Sequence, residues 1–331
     1  MLVQNKNFNN IKIHTQYSIC EGAVKIDDLA DYCKANKIKA IGLADSYNLC
    51  GALEFAEKIS KVGTQPIIGT QINLLYEGII GKITLYAISQ KGYKNLTKLS
   101  SLSYLNNKTN NDPHCVLRDL ILNNEDLILL TGNYNNFFGK LFYANKIKNI
   151  EIIINKLKSS FQERIYIEIQ RHAETQEENF ENFLLKTSST HDLPLIAGQE
   201  VYYLDSEMAE AHDALICIGE KLFVDDQNRF RYSNQHYIKK SEELEKLYSD
   251  IPEALENNYN FPLRFNFKPK KSKPILPSIS TNKDTTIENE LMEQAKNGLK
   301  ERLNNFIFKK NKNQPHNDLI KLYEDRLFHE L

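Results

Sequence analysis

The chain has 331 residues, enough for one large domain with an extension, and 41% of them are apolar, enough for a core. With 42 basic against 43 acidic residues the formal charge is −1, which excludes capture of nucleic acid by a bulk positive field. Five scattered cysteines (Cys20, Cys33, Cys50, Cys115 and Cys217), never spaced C-x-x-C, exclude a disulfide framework and a zinc knuckle and point to a reducing compartment. The opening MLVQNKNFNN lacks the apolar core of a signal peptide, and no apolar run approaches the roughly 20 residues that span a bilayer. A cytoplasmic chain without a membrane partner is expected.

Residues 11–18, IKIHTQYS, read as a short apolar strand whose end turns polar. Ile26, Leu29, Ala30 and Cys33 then recur at helical spacing, with Asp27 and Asp28 suited to the first turn. Residues 38–44 form a buried strand ending in Asp45, 53–59 a helix, 66–75 a strand carrying Gly69, and 82–89 another strand. A helix is predicted over 93–105, a polar loop over 108–113, a short helix over 116–122, and a strand over 127–131 with a Gly132-Asn133 turn. Next come a helix at 149–159, a strand at 164–170 ending in Arg171-His172, a long helix at 175–190, and a strand at 194–197 followed by Gln199-Glu200. A helix is predicted over 205–218, with Met208, Ala211, Leu215 and Ile218 among its apolar positions. About seven β/α repeats in this order imply an α/β fold with a largely parallel sheet, closed or nearly closed as a barrel.

Helices at 241–248 and 252–260 end this part. Residues 266–284 hold Lys268, Lys270, Lys271 and Lys273 among Pro269, Pro274 and Pro277, an extended connector that reads as a solvated linker rather than a phosphate contact. Thr285 and Glu288 form a capping box opening a helix with Ile287, Leu291, Ala295 and Leu299 on one face. A last helix covers 316–331, and its uncapped end at Leu331 suggests a sequence cut short.

The polar residues at the strand ends are the informative set: Lys12, His14, Asp45, Ser46, Gln71, Lys82, His172, Glu200 and Tyr202. In a β/α barrel they converge on one mouth. His14, Asp45, His172 and Glu200 are candidate metal ligands, while two lysines beside them repel a cation. His114, His191, His236, His316 and His329 have no partner at ligand spacing and read as structural or surface residues; His212 reads as a helix-packing residue, and Tyr202 and Tyr203 as barrel filling. Gly-rich phosphate loops, nucleophile elbows and Ser-His-Asp arrangements are absent from the sequence.

Segments IHTQYS, LADSYNLCG, PIIGTQI, GYKNLTKLS, YIEIQRH, EAHDALICI and IPEALENN, in this order, resemble the PHP (polymerase and histidinol phosphatase) family. The form they resemble is the one that opens bacterial replicative DNA polymerase III alpha subunits. QAKNGLKERL and YEDRLFHEL resemble the start of the polymerase palm region that follows it. The resemblance implies a distorted seven-stranded β/α barrel over 1–265, a basic linker over 266–284, and a truncated helical start of the palm region over 285–331.

Family members with an active site carry an HxH pair on the first strand, which here reads Lys12-Ile13-His14. The Asp-His after the second strand reads Asp45-Ser46, the Glu of the third is Gln71, and the His of the next is Lys82. His172 is retained, and the later Asp-x-His reads Glu200-Val201-Tyr202. The resemblance therefore implies a vestigial site with no metal, in which Lys12 and Lys82 neutralise Asp45 and Glu200. The parent subunit uses Mg held by palm carboxylates beyond this chain. Its implied partners are the remainder of the alpha subunit, the proofreading exonuclease subunit and other replisome subunits, with DNA bound through the full-length protein. The alternative is a phosphoesterase or 3′–5′ exonuclease holding Zn or Mn on His14, Asp45, His172 and Glu200.

Overall fold

The buried apolar runs become the staves of one sheet. In the computed structural model, which describes residues 7–105, 107, 112–277, 285–312 and 314–331, they are β1 (Lys12–Ile13), β2 (Ala40–Ser46), β3 (Gln65–Tyr76), β4 (Ile79–Ala87), β5 (Cys115–Val116), β6 (Leu127–Leu130), β7 (Ile165–Gln170), β8 (Leu195–Gly198) and β9 (Glu200–Val201). Most of the loop expected at 108–113 lies outside the described residues. The helices are α1 (Ile26–Ala35), α2 (Ala52–Lys61), α3 (Gln90–Leu105), α4 (Leu117–Leu122), α5 (Phe137–Tyr143), α6 (Ile147–Phe161), α7 (Glu177–His191), α8 (Ala209–Glu220), α9 (Ser241–Leu247) and α10 (Pro252–Asn260). The chain divides into two compact units, Met1–Lys271 and Ser272–Leu331.

Hydrogen bonding runs β8-β7-β6-β4-β3-β2-β1-β9, with β5 pairing to the end of β3. The two ends of that path are separated in sequence by Gln199 alone. One kinked strand thus pairs with β7 through its first half and with β1 through its second, in register Lys12↔Glu200 and Ile13↔Val201. This closes the barrel and gives seven staves. Gly42 lets β1 and β2 approach, because a Cβ there would lie 1.9 Å from the Ile11 carbonyl oxygen.

The sheet is less parallel than the alternation of elements implies. β4 runs antiparallel to both β3 and β6. β3 continues to Tyr76 and turns through Glu77-Gly78, both with positive φ, the two-residue geometry that joins adjacent hairpin strands. β4 therefore enters from the mouth, so Lys82 lies near its beginning rather than at a carboxyl end.

Two helices differ from expectation. α5 is a missed helix; its Phe137, Phe138 and Leu141 are buried, but a seven-residue segment is too short to show a clear period. α8 buries His212 and Cys217, not the stripe through Met208, Ala211, Leu215 and Ile218, and Ile218 is 71% exposed. His212 takes the inner position because its ring has polar and aromatic partners there, described below.

The base of the barrel is closed by Tyr86, Tyr166, Phe261 and Phe265, with edge-to-face contacts from Phe261 to both tyrosines. Tyr86 donates its hydroxyl to the Ile11 carbonyl at 2.9 Å. Residues 265–277 have no regular structure, yet Phe265 is buried and Phe267 packs 5.3 Å from Tyr93, so the start of the connector belongs to the first unit. In the second unit the helix Ile287–Arg302 is capped by Thr286, whose hydroxyl accepts from the Asn289 amide, not by Thr285. Its Ile287 and Leu291 are exposed. The helix His316–Glu330 follows.

Candidate functional site

β1 carries Lys12 into the barrel, where its side chain and that of Glu168 on β7 are both 0% exposed. Lys12 Nζ donates to Glu168 Oε2 at 2.6 Å, and Gln170 Nε2 donates to the other oxygen at 2.7 Å. Burying both charges costs their hydration, and the short contact together with the Gln170 amide on the second carboxylate oxygen offsets it.

Above it sits Glu200, buried at the start of β9. It accepts from Gln71 Nε2 at 2.7 Å and Asn133 Nδ2 at 3.2 Å, and meets His14 Nε2 at 3.0 Å. Burial alone would raise this carboxyl, but the Lys12 ammonium and His14 outweigh it and hold Glu200 well below the usual carboxylate range. His14 stacks on Tyr202 at 4.5 Å.

Asp45 ends up beside no ammonium. Its oxygens accept from the Thr15 amide at 2.6 Å, the Thr15 hydroxyl at 2.8 Å and the Ser18 hydroxyl at 2.8 Å. Burial nevertheless raises its pKa. This carboxylate ties the turn after β1 to β2, together with the Ser46 amide donating to the Ser18 hydroxyl at 3.1 Å. Asp45→Asn removes an acceptor oxygen from three converging donors and is expected to lower stability by about 1–2 kcal/mol, read as a lower urea midpoint.

Lys82 pairs with Glu21, at 2.6 and 2.7 Å, and also reaches the Ser46 hydroxyl at 3.1 Å. Ser46 in turn donates to Glu21. The carboxylates in direct contact with the two lysines are Glu168 and Glu21; Lys12 also acts on Glu200 through space, as the sequence suggested, whereas Asp45 has no ammonium partner among the described residues. Glu21 lies in a loop and Glu168 in mid-strand, and neither position announces itself at a strand end.

His172 is committed to the backbone. Its Nε2 accepts from the Glu200 amide at 3.2 Å, which leaves Nδ1 as the donor toward Glu177 at 3.3 Å. Its ring stacks on His236 at 4.0 Å and 6°, and burial together with His236 pushes its pKa well below that of a free imidazole. His236 is thus a buried structural residue of the mouth, one of the two readings the sequence left for it, and its Nδ1 meets the Glu200 carbonyl oxygen at 3.1 Å. His212 donates from Nε2 to the Glu21 carbonyl at 2.8 Å and packs against Tyr202 and Tyr203. The mouth retains a cavity of about 340 Å³, bordered by Lys82, Glu21, Glu200, Tyr202, Tyr232 and His236.

Residues 10–172 match the PHP-domain family. The barrel is a PHP domain. The DNA polymerase III subunit alpha of Caulobacter vibrioides is 35% identical over 310 residues, 91% of this chain and 27% of that protein. The Rickettsia bellii subunit is 33% identical over 326 residues, 98% of this chain and 28% of that protein, and the Vibrio cholerae subunit is 31% identical over 305 residues, 91% and 26%. The chain spans about a quarter of the length of these relatives. A Bifidobacterium adolescentis protein provisionally assigned as a metal-dependent phosphoesterase is similar in structure with a TM-score of 0.42 at 11% identity, covering 58% of this chain and 86% of that one, a likeness too slight to build on.

PHP-type metal chemistry requires free lone pairs on clustered nitrogen and oxygen ligands. In this PHP domain most of them are engaged by the protein's own donors. The Asp45 oxygens face three donors, Glu200 faces two amides and an imidazole, and His172 Nε2 accepts a backbone N–H. Ammonium groups sit on Glu168 and Glu21. Among the described residues no set of three or more His, Cys, Asp or Glu side chains is arranged to hold an ion. The residues present do not fit a metal cluster. The sequence did mark Lys12, His14, Asp45, Ser46, Gln71, Lys82, His172, Glu200 and Tyr202, all of which converge here. It missed Glu21, Asn133, Glu168, Glu177, His212 and His236 as members of the network.

Proposed function

We propose that the chain is the amino-terminal part of a DNA polymerase III alpha subunit, in which the PHP domain serves as architecture rather than as a hydrolase. The observation that carries this reading is the Lys12–Glu168 pair: a protein ammonium, fully buried at 2.6 Å, occupies the barrel interior beneath the mouth. Alignment with alpha subunits over more than nine-tenths of the chain supports the assignment. Residues 285–331 are then the helical start of the palm region. Polymerase chemistry needs carboxylates and Mg supplied by the rest of the subunit. The domain's partners are that remainder, the exonuclease subunit and other replisome subunits.

The test has two readouts. Purified protein is expected to contain substoichiometric Zn and Mn by elemental analysis, and to leave a 3′-labelled single strand intact when either metal is added. Two or more bound ions per chain, or hydrolysis abolished by His14→Ala, would establish the phosphoesterase reading instead.

A further inference from the structure

We propose that Lys239 is a Schiff-base-forming amine that takes small uncharged aldehydes. The residue lies just before α9 and is 3% exposed, yet it borders a cavity of about 750 Å³ on the flank of the barrel. Its Nζ donates to the Gln235 carbonyl at 2.5 Å and lies 4.7 Å from the centre of the Tyr237 ring. Among the described residues no carboxylate oxygen comes within 4.0 Å of it. The other fully buried lysine among the described residues, Lys12, is held by the Glu168 carboxylate.

The acids facing Lys239 are engaged elsewhere. On α9, Glu243 accepts from the Tyr237 hydroxyl at 2.8 Å. From α7 and the turn before it, Glu177 accepts from the His172 and Glu174 amides, and Glu174 from the Ser233 amide. Arg171 is neutralised by Glu181 and Asp250, and Lys246 on α9 and Glu178 on α7 complete the charged border. Burial therefore dominates and lowers the Lys239 ammonium to about 8, with Glu243 and Glu177 pulling it partly back up. A desolvated lysine of this kind is a nucleophile near neutral pH. The acidic border disfavours anionic reagents and leaves uncharged carbonyl compounds as the matching class.

In the step itself the neutral Nζ lone pair attacks the aldehyde carbon. A C–N bond forms, and the carbonyl π pair moves to oxygen, which takes a proton. The carbinolamine then loses an N–H proton and its hydroxyl as water, giving the imine. One water is released, and no oxidant or reductant is consumed.

The experiment uses the intact chain with limiting formaldehyde and cyanoborohydride, the latter trapping the imine as an alkylated amine, followed by peptide mass spectrometry. At pH 7.5 Lys239 is expected to label roughly tenfold faster than exposed Lys34 and Lys296, the gain in neutral amine less its lower intrinsic nucleophilicity. Its rate levels off above pH 8 to 9. Neutral glycolaldehyde is expected to outpace anionic glyoxylate at Lys239 by about fivefold relative to the exposed lysines. Lys239→Arg removes the fast label while the circular dichroism is kept. Labelling at Lys239 no faster than at the exposed lysines, a Lys239 rate that keeps climbing above pH 9, or equal preference for the two aldehydes would overturn the proposal. Each of the wild-type readings stands even if the variant misfolds.

Discussion

Lys12→Met is expected to destabilise the barrel by about 3–5 kcal/mol, because it strands a fully buried carboxylate. Glu168 would keep only the Gln170 amide, and Glu200 would lose the cation that most strongly holds it ionised. Methionine fills most of the lysine's volume, so the loss reports charge and not a cavity. Urea denaturation followed by circular dichroism reads it as a large drop in midpoint. The companion variant decides the interpretation. In Lys12→Met with Glu168→Met both charges leave together, and at least half of the lost stability is expected to return. A double variant as weak as Lys12→Met would show that lysine packing, not the ion pair, matters at this position.

The result bears on how the mouth came to look as it does. A barrel with polar residues on several inward-facing strand ends needs positive charge in its interior, and metal ions are one source. Here the positive charge is covalent. Lys12 comes from the first strand, and its partner comes from the middle of β7, so the charge is neutralised across the barrel rather than along one edge. Lys82 does the same for Glu21 at the rim. An ammonium takes one position and three donors, whereas a cluster of ions draws every ligand around it. The remaining acceptors were therefore free to take other donors, and the hydroxyls and amides around Asp45 and Glu200 fill that role.

Legibility from sequence followed the range of the forces involved. The strands at 38–44 and 66–75 were readable because continuous burial leaves a continuous apolar run, and the structure shifts the first by two residues to Ala40–Ser46 and lengthens the second by one at each end to Gln65–Tyr76. α1 buries the four residues its period named. Barrel closure was harder, since it depends on a two-residue strand, Glu200–Val201, that has no period at all. The reversed direction of β4 hung on a two-residue turn. Within the site, strand-end residues stood out because strands place them there. Their partners did not, because Glu21, Glu168 and His236 are reached across 61, 156 and 36 positions of chain. No local pattern carries information over such separations.

Acid is expected to loosen the domain well above the range in which carboxylates protonate, and two histidines set the onset. Burial drives the His212 pKa to about 4 and that of His172 well below its ordinary value, so both are neutral in the fold. In the unfolded chain each takes a proton near pH 6.5. Their folded values lie below their unfolded values, so the stability they contribute is complete above about pH 6.5 and is lost as pH falls from there. For His212 the loss between pH 6.5 and 4 is about 3 kcal/mol. Glu200 adds its own loss only below about pH 4.5, because its carboxyl is depressed; Asp45, raised by burial, works in the opposite direction and offsets part of it. Urea midpoints measured from pH 8 to 4.5 should therefore fall steadily below pH 6.5. His212→Gln keeps a donor for the Glu21 carbonyl but cannot titrate. It should start lower at pH 7.5 and fall less steeply, so that the two curves converge toward pH 4.5. Parallel curves would mean that the imidazole of His212 is not the group through which protons enter, and would shift the acid sensitivity to His172, whose charged form is disfavoured by burial against the ring stacked on it at 4.0 Å.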